Sequence, residues 1–325
     1  MRAVVIPEYG DADVLAVEDV DDPVPGPDEI VVAVRSTALN RADLLQRMGL
    51  YPDPSGRTPE IPGLEYAGVV SAVGTRVHAW REGDKVMGIE SGGCHAELVA
   101  THGRQAMRVP DGVPLADAGA IPEVFVTAWD ALVRQGGLTA GRWALVHAGA
   151  SGVGTAAIQL AKAMGAHIAV TCSSGKADRC RELGADLVLE RSPAAWRDAL
   201  RDAVPDGVDV VLDVVGGDEI ERNLHVVRTE GRIIQVGVMG GGAASVNAGL
   251  LLAKRVHWIG TTLRSRPLES KIAVSRQFQR EVAPWFSDGT LVPVIDRRLA
   301  LDDVVEGHRV MESNANVGKI VLDVA

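Results

Sequence analysis

The 325-residue chain has few cysteines: Cys94, Cys172 and Cys180. An odd count without regular spacing gives no disulfide framework. A basic excess is also lacking, because 33 Lys and Arg stand against 43 Asp and Glu, a net charge of −10. That balance argues against nonspecific binding to nucleic acid or to an anionic membrane, which needs a basic surface. It leaves room for a local basic pocket that takes a phosphate. No stretch reaches the ~18 consecutive apolar residues of a membrane span. The N-terminal Met1-Arg2-Ala3-Val4-Val5-Ile6-Pro7 lacks the features of a signal peptide and is expected to form a first strand. A reducing compartment, most simply the cytoplasm, is the expectation.

What is present is a hydrophobic fraction of 46%, enough for a full core, and a length that suits two domains. Residues 1–120 are β-rich by pattern. Short apolar runs (Ala3–Ile6, Ile30–Val34, Ala67–Val73, Lys85–Ile89, Ala96–Val99) alternate with Pro- and Gly-rich turns. This spacing predicts a small, irregular β-barrel with one helix over Asn40–Met48. From Ile121 to residue 261 strands alternate with helices, the sign of βαβ units and a parallel sheet. Strands are expected at Trp143–His147, His167–Thr171, Leu187–Leu189, Val208–Asp213, Arg232–Val236 and Val256–Gly260. Residues 262–325 return to mixed structure, and the closing strand Lys319-Ile320-Val321-Leu322 is expected to rejoin the barrel.

The most informative segment is the turn Gly149-Ala150-Ser151-Gly152-Val153-Gly154, between an apolar strand and an amphipathic helix. A glycine cluster alone is a weak signal. In this context it predicts a dinucleotide pyrophosphate at a helix N-terminus, with Gly149, Ser151, Gly152, Val153 and Gly154 around it. An NAD site usually places a carboxylate near the end of the second strand. Here that stretch reads Thr171-Cys172-Ser173-Ser174-Gly175-Lys176, without one. Ser174, Lys176 and Arg191 suit the additional phosphate of NADPH instead, by hydrogen bonds and charge. Lys176 and Arg191 as plain solvated charges are the alternative. A later loop, Gly237-Val238-Met239-Gly240-Gly241-Gly242, is expected to offer backbone amides to the nicotinamide half through Gly237, Met239 and Gly240.

The chain resembles the medium-chain dehydrogenase/reductase superfamily. Within it, the chain is most similar to the zinc-independent, zeta-crystallin-like quinone oxidoreductases, and there to the tumour-suppressor-inducible branch. The segments that carry the resemblance include Ala38-Leu39-Asn40-Arg41-Ala42-Asp43-Leu44, Gly63-Leu64-Glu65-Tyr66-Ala67-Gly68, the Ala148–Gly154 turn, Ala120-Ile121-Pro122-Glu123 and Asn316-Val317-Gly318-Lys319. The resemblance implies an α/β fold: a Rossmann-type doubly wound parallel sheet plus a GroES-like barrel, in a homodimer. Zinc-dependent members carry Cys where this chain has Asn40 and His where it has Leu64. Asn and Leu cannot replace thiolate and imidazole, so no metal is expected. Relatives often carry Tyr in place of Arg191.

Without a Lewis acid, an already electrophilic acceptor is the suitable substrate: a small-molecule quinone or an α,β-unsaturated carbonyl, reduced by NADPH. The alternatives are an enoyl-thioester or specialised-metabolite reductase, and a catalytically quiet NADPH-binding protein. Negative charge grows on the acceptor oxygen, so a hydrogen-bond donor aimed there lowers the barrier. Tyr51 and Asn40 are the candidate donors, placed by the resemblance. A packed loop aromatic and a helix N-cap are the respective structural alternatives. Thr127, Leu263, Arg264 and Asn316 are the further expected cofactor contacts, the last three by resemblance alone.

Overall fold

Hydrophobic alternation along Glu29–Ala38 buries Ile30, Val32 and Val34 while Ala33 and Arg35 meet solvent. In the computed structural model, which describes residues 1–54, 56, 59–192 and 195–324, this strand is the hub of a seven-stranded sheet. It pairs antiparallel with Glu65–Val73, Leu98–His102 and the C-terminal Lys319–Asp323. The last pairing sets Val321 opposite Ala38 and returns the end of the chain to the first domain. Tyr66, Val70, Leu39, Leu44, Ile320 and Leu322 share its core. Helix α1 (Arg41–Arg47) follows the hub strand directly. It starts sharply because the Asp43 carboxylate accepts the Asn40 N–H at 2.7 Å.

The chain divides into two units: Met1–Val126 with Leu263–Ala325, and Thr127–Thr262. Helix α2 (Pro122–Trp129) carries the chain across the division.

The second unit is a parallel sheet of β1 (Trp143–Val146), β2 (His167–Cys172), β3 (Leu187–Glu190), β4 (Val208–Asp213), β5 (Val227–Gln235) and β6 (His257–Gly260). Its order is β3-β2-β1-β4-β5-β6, with every neighbouring pair parallel. This is the Rossmann order. Its reversal between β1 and β4 opens the crevice where dinucleotides bind in such sheets. Strand β5 starts earlier than the apolar run Arg232–Val236 suggests. Val227 pairs with Val208 before the register breaks, and pairing resumes at Arg232 with Val210. Helices α3 (Gly152–Ala163) and α4 (Ala177–Glu182) follow β1 and β2.

Candidate active site

In the second unit the glycine-rich turn joins β1 to α3. Ala148 holds the left-handed conformation, φ 56°. A Cβ on Gly154 would run into the Ala148 carbonyl, and one on Gly149 into the Val170 side chain. Glycine is therefore required for the turn to fold back so tightly. Ser151 caps α3, its hydroxyl accepting the Gly154 N–H at 3.0 Å. Gly152 and Val153 open the helix, where N–H groups have no intrahelical acceptor and the dipole favours an anion. This cradle fits a pyrophosphate.

A buried polar chain ties the carboxyl ends of the strands together around this turn. His147 Nδ1 lies 2.9 Å from the Thr171 hydroxyl, and its Nε2 lies 2.8 Å from Asn223 Oδ1. Asn223 Nδ2 donates to Asp213 Oδ2 at 2.9 Å. Asp213 Oδ1 in turn accepts the N–H groups of Val215 and Gly216. Nothing in the local sequence pattern announces this chain, because its members sit on different elements.

At the end of β2, Ser174 is exposed and Lys176 half-buried. The Arg191 N–H donates to the Cys172 carbonyl at 2.8 Å. The structure thus brings the three expected phosphate-reading residues to one sheet edge. The glycine loop after β5 differs from expectation. The N–H groups of Gly237, Met239 and Gly240 donate to the carbonyls of Asp213, Val214 and Val215. These amides are used to pack one loop on another, so they are not on offer to a ligand. Thr127, on α2, is 9% exposed.

In the first unit Asn40 occupies a buried polar cluster. Asn40 Nδ2 donates to Glu65 Oε1 at 3.0 Å and to the Ala38 carbonyl at 3.1 Å. Lys319 Nζ donates to Asn40 Oδ1 at 2.6 Å and to the Leu39 carbonyl at 2.7 Å, and pairs with Glu65 at 2.8 Å. Both Asn40 protons are therefore held inside the protein. The expectation that Asn40 donates to an acceptor is corrected: it positions Glu65 and Lys319. A single lysine opening an apolar strand is the sequence signal that could have revealed Lys319. Glu65 Oε2 accepts the Glu123 N–H at 2.8 Å. Burial, and next to it the Glu65 charge, push the Glu123 carboxyl up to about 8, against Lys319 and Arg264. Glu123 therefore keeps its proton at neutral pH, and its Oε2 is buried without a partner.

Tyr51 keeps its proton as well, because burial raises its pKa above the usual value against the opposing charge of Arg264. The Arg264 guanidinium lies 4.7 Å from the Tyr51 ring centre. Its Nη1 donates to the Tyr51 carbonyl at 2.6 Å, Nη2 to Gln46 Oε1 at 2.7 Å and Nε to the Ser91 carbonyl at 2.6 Å. Arg264, expected to contact the cofactor, is 4% exposed and clamps the Tyr51 loop. Leu263 precedes it at 8% exposure, and Asn316 donates to the Gly318 carbonyl just before Lys319. The first unit thus groups Asn40, Tyr51 and Arg264 with Glu65, Glu123 and Lys319 and also holds Leu263 and Asn316, while the second holds the Gly149–Gly154 turn, Thr127, Ser174, Lys176 and Arg191.

Two family models match: "Alcohol dehydrogenase GroES-like domain" over residues 26–136 and "Zinc-binding dehydrogenase" over 152–280. A synaptic vesicle membrane protein VAT-1 homologue of Danio rerio is 30% identical over 342 residues, covering 99% of this chain and 69% of that protein. The chain belongs to the medium-chain dehydrogenase/reductase superfamily. A mycocerosic acid synthase-like polyketide synthase of Mycobacterium tuberculosis is 33% identical over 97% of this chain, which spans only 15% of that protein's length. Among solved structures, an NAD-dependent alcohol dehydrogenase is 30% identical with TM-score 0.87, each chain covered to 100%. The Escherichia coli quinone oxidoreductase complexed with NADPH is 26% identical with TM-score 0.90, again covering 100% of each. The JamJ enoyl reductase is 25% identical with TM-score 0.90, covering 100% of this chain and 99% of that one.

The matched family is described as zinc-binding, but the donors here do not suit zinc. Leu64 offers no ligand atom, and the Lys319 ammonium is already the cation on Glu65 and Asn40. Among the described residues, no group of three or more His, Cys, Asp and Glu is placed to hold a metal ion. No helix among them is long and apolar enough to cross a membrane.

Proposed function

We propose that this superfamily member is an NADPH-dependent reductase that works without a catalytic metal and reduces a quinone or an α,β-unsaturated carbonyl. The observation that supports it most is the lysine ammonium on Glu65 and Asn40, together with a protonated Tyr51 whose hydroxyl has no partner among the described residues. When bound, a reduced nicotinamide supplies hydride, the part of the chemistry that side chains cannot.

The rest falls to the chain. The Gly149–Gly154 turn holds the pyrophosphate at the start of α3. Ser174, Lys176 and Arg191 take the additional phosphate, and no carboxylate at the end of β2 repels it. Thr127 is a further cofactor contact on the same unit. The Tyr51 hydroxyl donates to the acceptor oxygen as negative charge grows there. Arg264 fixes the Tyr51 loop and adds a positive charge that favours the same build-up. Lys319 keeps Asn40 and Glu65 in place. We place the protein in the cytoplasm, as a homodimer of the zeta-crystallin-like, zinc-independent type.

The likeness to a polyketide synthase segment and to an enoyl reductase favours a second reading, reduction of an enoyl thioester. One experiment separates the readings: loss of NADPH absorbance with a small quinone, an enone and an enoyl thioester in parallel. Turnover of the quinone or enone without added metal is expected. Turnover of the thioester alone favours the second reading, and binding of NADPH without any turnover favours a non-catalytic protein.

A further inference from the structure

Two of the three cysteines meet at the edge of the parallel sheet. Cys172 is the last residue of β2, and Cys180 lies on α4. The chain reverses between them through Ser173–Lys176, so that the two thiols share a hydrogen bond. Both are buried. Cys180 is fully covered, while Cys172, at 4% exposure, lines a cavity of about 250 Å³ together with Ser174, Asp178, Arg181 and Glu190. A small polar oxidant that enters the cavity therefore meets Cys172, while Cys180 does not line it. The bond from Cys180, followed by the charges of Arg181 and Lys176, outweighs burial and Glu190 and brings the Cys172 thiol down to about 7. Cys180 moves in the opposite direction. The shift favours the thiolate, the reactive form, at Cys172. Cys94 lies in the core of the other unit and serves as an internal control.

We propose that Cys172 and Cys180 form a hydroperoxide-reactive dithiol at the sheet edge, oxidised to a disulfide that closes the loop holding Ser174 and Lys176. The Cys172 thiolate attacks one peroxide oxygen, the O–O bond breaks, and the leaving oxygen departs as water after taking a proton. The product is a sulfenic acid on Cys172. The Cys180 sulfur then attacks that sulfur, the S–S bond forms, and the hydroxyl leaves as a second water. Two thiols and one hydroperoxide give one disulfide and two waters when the oxidant is hydrogen peroxide. The two electrons pass from the sulfurs to the peroxide. The consequence for the cofactor rests on the proposed NADPH site: residues 173–176, which carry two of its three phosphate-reading side chains, lie inside the ring the disulfide closes.

The test starts from the full-length reduced protein, without dinucleotide, treated with stoichiometric hydrogen peroxide. Unfolding and alkylation are then followed by intact mass and peptide mapping. The expected product has lost two hydrogens, has one alkylatable cysteine (Cys94) and contains a Cys172–Cys180 cross-linked peptide that a reductant splits. Three alkylatable cysteines, or sulfinic acid on Cys172 without a cross-link, would overturn the proposal. Cys180→Ser, which keeps a hydroxyl to donate to Cys172, is expected to leave a dimedone-reactive sulfenic acid on Cys172, and a dimedone adduct on Cys94 instead counts against it. NADPH binding to reduced and oxidised protein is then compared by fluorescence. A several-fold rise in Kd that a reductant reverses supports the link to the cofactor edge, and an unchanged Kd removes that link. If the cross-link forms while neither state binds NADPH, the cofactor reading has failed and the thiol chemistry stands.

Discussion

Glu123 sets the pH response at the scale of single residues. Its native value, about 8, lies above the 4.5 of an unhindered glutamate. Between these values the unfolded chain releases a proton that the folded protein keeps. Stability from this group is therefore complete below pH ~4.5 and falls as pH rises towards 8, by at most about 1.4 kcal/mol per pH unit. Glu123→Gln removes the titration and keeps the shape. Its Tm relative to the parent protein is expected to climb between pH 5 and pH 8.5, and a difference that stays flat would show that Glu123 ionises normally. Tyr51 gives a second residue-scale prediction. Tyr51→Phe keeps the ring under Arg264 but deletes the donor. A fall in kcat of roughly tenfold or more is expected, with NADPH affinity unchanged. Equal loss of cofactor binding would show that the phenol acts on the dinucleotide instead.

Lys319–Asp323 shows what an element carries that local pattern does not. Its apolar run made the strand legible, as did the alternation of strands and helices in the second unit. Which residues meet across the sheet was not legible. Lys319 reaches Glu65 and Asn40 only because its strand pairs with Glu29–Ala38, beside Glu65–Val73. The same holds for the Asn40 amide, whose protons are claimed by Ala38 and Glu65. It holds too for the loop after β5, whose amides bond the neighbouring loop. Motif position revealed where a site residue stands, while the partners that decide its chemistry came from non-local pairing. The energetic consequence is large because Glu65 is fully buried. Lys319→Met leaves that carboxylate without its cation and is expected to cost about 3–5 kcal/mol in urea unfolding. Lys319→Arg should recover part of the loss, and a Met variant as stable as the parent would show that the fold does not depend on the Lys319–Glu65 pair.

The whole molecule carries a net charge of −10, which opposes close approach of two copies unless a specific apolar surface outweighs it. The second unit offers one. Strand β6 pairs only with β5 among the described residues, so its other edge presents unpaired backbone groups. Trp258 on that strand is 44% exposed and Leu252, on the preceding helix, 79%. Proteins usually blunt such an edge with charge or proline, and β6 carries neither. A symmetric pairing of two β6 edges would join two six-stranded sheets into one and cover both tryptophans. Sedimentation is expected to give twice the 34.3 kDa chain mass. Trp258→Lys places two like charges at the joint and should shift the protein towards monomer, most strongly at low salt. Because no residue of the proposed site lies on β6, the monomer should keep its NADPH affinity. A parent protein that sediments as monomer, or a Trp258→Lys protein that stays dimeric, would move the contact elsewhere on the surface.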